Sequence, residues 1–145
     1  MKVSSTKPIS ILIADDFKAL RDVIGLYLKR AGDMDVIDEA LDMDDALESA
    51  RILHPDVIIL NNDLPPIDSA HAATVLRTDG IIAAILVISM GAESEVIQRS
   101  FESGVNGFMY KDEIDEFLLD GIRRVHQGER YLSPKAGDAY SSAQE

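Results

Sequence analysis

PDVIILNNDLPPID, residues 55–68, is the stretch from which the fold of this chain is read. Val57, Ile58, Ile59 and Leu60 form an uninterrupted apolar run between Pro55 and a polar, proline-rich segment, the pattern of a strand buried on both faces. The run ends on Asn61. Working outward, residues 9–14 (ISILIA) make a second such run. After Asp15 and Asp16, the residues Phe17, Leu20, Ile24 and Leu28 recur at helical spacing until Gly32 stops them. Residues 35–40 read as a short strand, followed by a helix that carries Ala46, Leu47, Ala50 and Leu53 on one face and ends before Pro55. Downstream, weaker amphipathic helices over 68–77 and 93–103 flank a strand at 84–89, and residues 107–110 make a fifth strand. A last helix over 113–127 turns Ile114, Phe117, Leu118, Ile122 and Val125 inward.

Five strand–helix repeats predict an α/β fold, a five-stranded parallel sheet with helices on both faces, because parallel neighbours need crossover connections that cover the sheet. Residues 1–8 read as an N-terminal extension and 9–130 as the single domain. Residues 131–145 read as a loose C-terminal tail or truncated linker, since few large apolar groups follow Ser133. At 145 residues the chain is long enough to bury a proper core. It has no cysteine, which removes disulfides and thiolate metal sites and fits a reducing cytoplasm. Its longest apolar stretches are about half the ~20 residues that span a bilayer, and MKVSSTKP is no signal peptide. A net charge of −12 with scattered arginines argues against nucleic-acid binding by this chain alone. The histidines His54, His71 and His126 are not spaced as metal ligands, and the acidic residues of 33–45 read as a solvated face.

The polar residues decide function. In an open parallel sheet, ligands bind beyond the carboxyl ends of the strands, near the point where strand order reverses. Asp15, Asp16, Asn61, Ser89 and Lys111 all fall at such ends, on the first, third, fourth and fifth strands. Each alone is an ordinary loop residue. As an ordered set they resemble the receiver domain of bacterial response regulators, over about residues 9–134, with Gly104, Asn106, Gly107 and Phe108 as further matches. The resemblance implies a flavodoxin-like doubly wound (βα)5 fold with strand order 2-1-3-4-5, and a phosphoryl-accepting aspartate at the position held here by Asn61. It also implies magnesium ligands at Asp15, Asp16 and the Asp63 backbone carbonyl, with Asn61 contributing weakly, supporting roles for Ser89 and Lys111, and a switch made of Ser89 and Phe108.

Physical chemistry explains these residue types. Magnesium is a hard cation that takes carboxylate and carbonyl oxygens, while a lysine ammonium and a hydroxyl stabilise charge on a transferring phosphoryl group. An amide has no negative charge and its nitrogen lone pair is delocalised, so Asn61 is a poor nucleophile and a weak ligand. Further departures are Pro66 and Ser69 where glycines are usual, and Met90, which would narrow access, where a small residue usually follows the hydroxyl. The reading is therefore a two-component receiver, not an enzyme, that cannot accept phosphoryl and signals through protein contacts. Its partners would be a cognate histidine kinase or other signalling protein, or a second copy through residues 93–127. There Arg99, Arg123 and Arg124 alternate with Glu102, Asp115, Glu116 and Asp120. In one large subfamily QGERYLSPKA (127–136) resembles the junction to a helix-turn-helix DNA-binding domain, which connects the chain to transcription regulation. The alternatives are an ordinary receiver carrying an engineered Asp-to-Asn change and, last, a small α/β phosphatase of the haloacid dehalogenase type, whose aspartate–spacer–aspartate pattern Asp15, Asp16 and Phe17 lack.

Overall fold

The computed structural model describes residues 7–142, so most of the expected N-terminal extension and the last three residues of the tail lie outside the described residues. Strands β1 (Ile9–Ala14), β2 (Met34–Ala40), β3 (Val57–Asn61), β4 (Ala84–Ser89) and β5 (Gly107–Tyr110) alternate with helices α1 (Lys18–Ala31), α2 (Met43–Leu53), α3 (Ser69–Thr78), α4 (Ser94–Glu102) and α5 (Ile114–His126). All neighbouring strands are parallel, in the order β2-β1-β3-β4-β5, so strand order reverses between β1 and β3.

Alternation along the strands sorts side chains into two cores. Ile11, Ile13, Val57, Ile59, Leu86, Ile88 and Met109 face α1 and α5, against Ile24, Leu28, Leu118 and Ile122. Leu12, Ile58, Leu60, Ile85, Val87 and Phe108 face α2, α3 and α4, against Leu47, Leu76 and Ile97. Removing a large aliphatic or aromatic side chain of this kind from water contributes roughly 1.5–3 kcal/mol, which is why the strands carry continuous apolar runs.

Among the described residues the sheet has six strands, not the five expected. Residues expected to be loose form β6 (Tyr131–Leu132), which pairs in parallel with β5 through Gly107↔Tyr131 and Phe108↔Leu132, and α6 (Pro134–Ser142). Two residues carry no readable periodicity, and what holds β6 is distant in sequence. The Tyr131 ring lies over Gly121 of α5, where an added Cβ would come within 2.9 Å of it. Ala136 of α6 is fully buried in the same core as Phe108, so small residues do the packing that large ones usually signal.

Candidate functional site

The carboxyl ends of β1, β3, β4 and β5 bring the five predicted residues to one edge of the sheet. Strand parity carries Asp15, Asn61 and Lys111 to the α1/α5 side and Ser89 to the side of Phe108 and Tyr110. Asp15 is buried; its amide extends the β1–β2 ladder to the Ala40 carbonyl at 3.0 Å, and its carboxylate accepts from Phe17 N at 2.8 Å. Asp16 is exposed. One contributor was not foreseen. Arg21 of α1 donates from Nη1 to the Asp15 carbonyl and from Nε to Glu39, both at 2.8 Å, with its side chain only 10% exposed. It fastens the aspartate loop to β2, and only the tertiary fold reveals this.

Asn61 closes β3 with 6% of its surface exposed. Its Oδ1 accepts from Asp63 N at 3.2 Å, and the next amide, Asn62 N, donates to Ile88 O at 3.0 Å. The loop beyond is tied down by Ser69 Oγ donating to Asn62 Oδ1 at 2.6 Å, Met43 N donating to Pro65 O at 2.8 Å, and Asp68 capping α3 through His71 N. Ser69, at a position where glycine is usual, thus closes the loop. Asp63 itself is exposed.

Ser89 is fully buried and its hydroxyl is engaged with the β4–α4 loop, donating to Gly91 O at 3.1 Å and accepting from Gly91 N at 3.3 Å. Tyr110 holds the same loop through the Ala92 carbonyl at 3.1 Å. Met90, expected to narrow access, is 77% exposed on the loop that follows β4. Phe108 is fully buried. Lys111 opens the 3-10 turn Lys111–Glu113, and among the described residues it makes no ion pair.

A magnesium ion meets a thin donor set here. No group of three acidic, histidine or cysteine side chains that could hold a metal occurs among the described residues. Asn61 Oδ1 already accepts a hydrogen bond. The three histidines are exposed, His54 ending α2 in the left-handed region at φ 48°. The acidic stretch is the solvated face expected, with Asp33, Asp35, Glu39, Asp44 and Asp45 exposed, and some of its members also make local bonds: Asp42 caps α2, Asp38 accepts from Ser49, Glu39 pairs with Arg21, and Asp33 pairs with Arg123. The charges expected to pair between two copies are likewise engaged within one molecule, Arg99 with Asp68 at 3.5 Å, Arg123 with Asp33 at 3.0 Å and Arg124 with Asp120 at 3.1 Å. The hydrogen bonds from Arg123 hold the Asp33 carboxyl below its ordinary range.

The model of the response regulator receiver domain matches residues 11–123. Among curated proteins the chain is 32% identical over 128 residues to the uncharacterized transcriptional regulatory protein YvfU of Bacillus subtilis, covering 88% of this chain and 64% of that one. It is 31% identical to the oxygen regulatory protein NreC of Staphylococcus carnosus, covering 86% of this chain and 58% of that one. The chain therefore spans less than two thirds of either relative. Among solved structures, a LuxR-family two-component response regulator from Aurantimonas superposes with a TM-score of 0.89 at 24% identity, covering 95% of this chain and 99% of that one, a likeness of fold. No helix among the described residues is long and apolar enough to cross a membrane.

Proposed function

Since the chain belongs to the response regulator receiver domain family, we propose that it is a receiver that works without accepting a phosphoryl group. The observation that carries this reading is Asn61: it stands at the end of β3, buried, between the Asp15 loop and Ser89, with its amide oxygen held by Asp63 N. Nothing at that position can attack phosphorus. The rest of the equipment is retained. Lys111 has a free ammonium among the described residues, and Ser89 needs only to release Gly91 to face an incoming oxyanion.

Magnesium, where it binds, would be held by Asp15, Asp16 and the Asp63 carbonyl, and would supply positive charge at the strand ends. Without a third anionic ligand its hold is weak. The protein's own residues keep the loops in place, Arg21 fixing the aspartate loop and Tyr110 the loop after β4. Signalling then runs through contacts with a histidine kinase or other signalling protein in the cytoplasm, with no reaction catalysed. A contribution to transcription would come from a DNA-binding partner domain, not from this acidic chain.

Beryllium trifluoride, which mimics phosphoryl bound to a carboxylate, tests this reading when added with magnesium while amide resonances are followed. The native chain stays silent. Asn61→Asp responds around Ser89 and Lys111. A response of the native chain equal to that of the variant overturns the proposal.

A further inference from the structure

The two edges of the sheet are treated differently. At one, β6 pairs with β5 along Gly107 and Phe108. At the other, β2 pairs among the described residues with β1 alone, which leaves the outward amide and carbonyl groups of the strand without a neighbour. The register slips between Ile11, which faces Val36, and Leu12, which faces Asp38. Ile37 is therefore a bulged residue, and the regular start of this edge is Met34–Val36.

Beside that start runs a groove of about 360 Å³ between α1 and β2, with Leu28, Met34 and Val36 as its apolar lining, Lys29 bordering it on α1 and Glu39 on β2. Gly25 keeps it open. A Cβ built there meets nothing within 4 Å, so the gap lies where α1 lacks a side chain. Glycine inside a helix is destabilising relative to alanine, yet here neither a positive φ nor a close approach requires it.

Charge indicates what fits this edge. The strand reads MDVIDEA, three acids and no base. Glu39 is paired with Arg21 on the groove side. Parity places Asp35 on the opposite face, together with Asp38, whose carboxylate accepts from Ser49 of α2. Asp35 is exposed, and among the described residues its side chain makes no hydrogen bond or ion pair. A second copy laid along the edge would set acid against acid, one of the means by which edge strands avoid pairing with each other. A strand that carries Lys or Arg turns the same charges into attraction, and the net charge of −12 favours its approach.

We propose that the β2 edge docks an extended basic segment of a partner protein. The segment adds as a strand beside Met34–Val36. Its alternate side chains fall on the two faces, apolar ones in the groove over Gly25 and basic ones against Asp35 and Asp38. This surface lies apart from Asn61, Ser89 and Lys111, so it serves the protein whether or not a phosphoryl group is accepted.

A titration of the full chain with a synthetic hexapeptide alternating lysine and valine, followed by amide resonances, tests the proposal. Glutamate–valine and lysine–serine hexapeptides serve as controls. At concentrations up to about 1 mM, the weak end of association, the lysine–valine peptide should shift Gly25 and Met34–Val36 while Asn61, Ser89 and Lys111 stay in place. Gly25→Leu, which fills the groove, should weaken binding about tenfold or more, the scale of one buried aliphatic side chain. Asp35→Lys, at an exposed position where folding is not at stake, should weaken it about threefold or more, the scale of one surface ion pair. Both controls should bind more weakly than the lysine–valine peptide. A native chain that stays silent, a control peptide that binds as tightly, or native affinity in either folded variant would each overturn the proposal. None of these readouts involves phosphorylation, so failure here is distinct from failure of the functional reading.

Discussion

Replacing Arg77 by alanine should be among the most destabilising single changes in this protein, although Arg77 looks like an ordinary helix-surface arginine in the sequence. Its guanidinium makes five hydrogen bonds: two to the Gly104 carbonyl, one each to the carbonyls of Ile81 and Ala83, and one to Asn106 Oδ1, at 2.8–3.2 Å. Burial pushes its pKa below the usual guanidinium value, the mark of a charge drawn out of water. These bonds join the end of α3 to the entry of β4 and to the loop that sets the start of β5, the strand that delivers Phe108 and Lys111. Charge-assisted bonds contribute roughly 1.5–3 kcal/mol each in favourable cases; with a half-buried group and water replacing part of the loss, the total should be about 3–4 kcal/mol. That is a large share of the ~5–15 kcal/mol by which such domains are stable. Urea unfolding followed by circular dichroism measures it. Asn106→Ala should cost less in that background than on its own, because the two residues share a bond, but it should still cost something, because Asn106 Oδ1 also accepts from Ile85 N at 2.8 Å. A loss below about 1 kcal/mol, the value of a surface arginine, would refute the reasoning.

Gly104→Ala should be destabilising for two reasons at one position: its φ is +110°, and a Cβ would come within 2.7 Å of Arg77 Cγ, so thermal unfolding should show a clear fall in midpoint that Arg77→Ala partly masks. Tyr131 has a buried hydroxyl with no hydrogen-bond partner, and burial together with Asp120 and Glu113 pushes its pKa from 10.0 up to about 12. A folded-state pKa raised in this way gives stability that is complete below pH 10.0 and is lost as pH rises towards 12, so Tyr131→Phe should unfold less readily than the native chain across that window and be no less stable at neutral pH. Titration calorimetry should find magnesium bound about tenfold or more weakly by the native chain than by Asn61→Asp, given that even outer partners of a metal site can change affinity by that factor. Equal affinities would separate position 61 from the metal site.

Much of the fold was legible because its periods are strong. The apolar runs at 9–14 and 57–60 and the helical spacing of Ile24 and Leu28 correspond directly to β1, β3 and α1. The ordered set Asp15, Asn61, Ser89 and Lys111 was legible for the same reason: each is the first polar residue after such a run. What stayed hidden depends on contacts between distant segments. β6 is too short to have a period, and α6 is held by small residues and by Glu113, which in sequence is one more acid at the start of a helix. Arg123 reads as available to a second copy because its partner, Asp33, lies across the fold on the α1–β2 connection.

The intact mass of the native chain after incubation with magnesium and acetyl phosphate tests the central claim most directly. The absence of a nucleophilic carboxylate at Asn61 predicts an unchanged mass, with no hydroxylamine-sensitive adduct. A near-complete shift by one phosphoryl group, on Asp63, Asp16 or any other carboxylate, would contradict it.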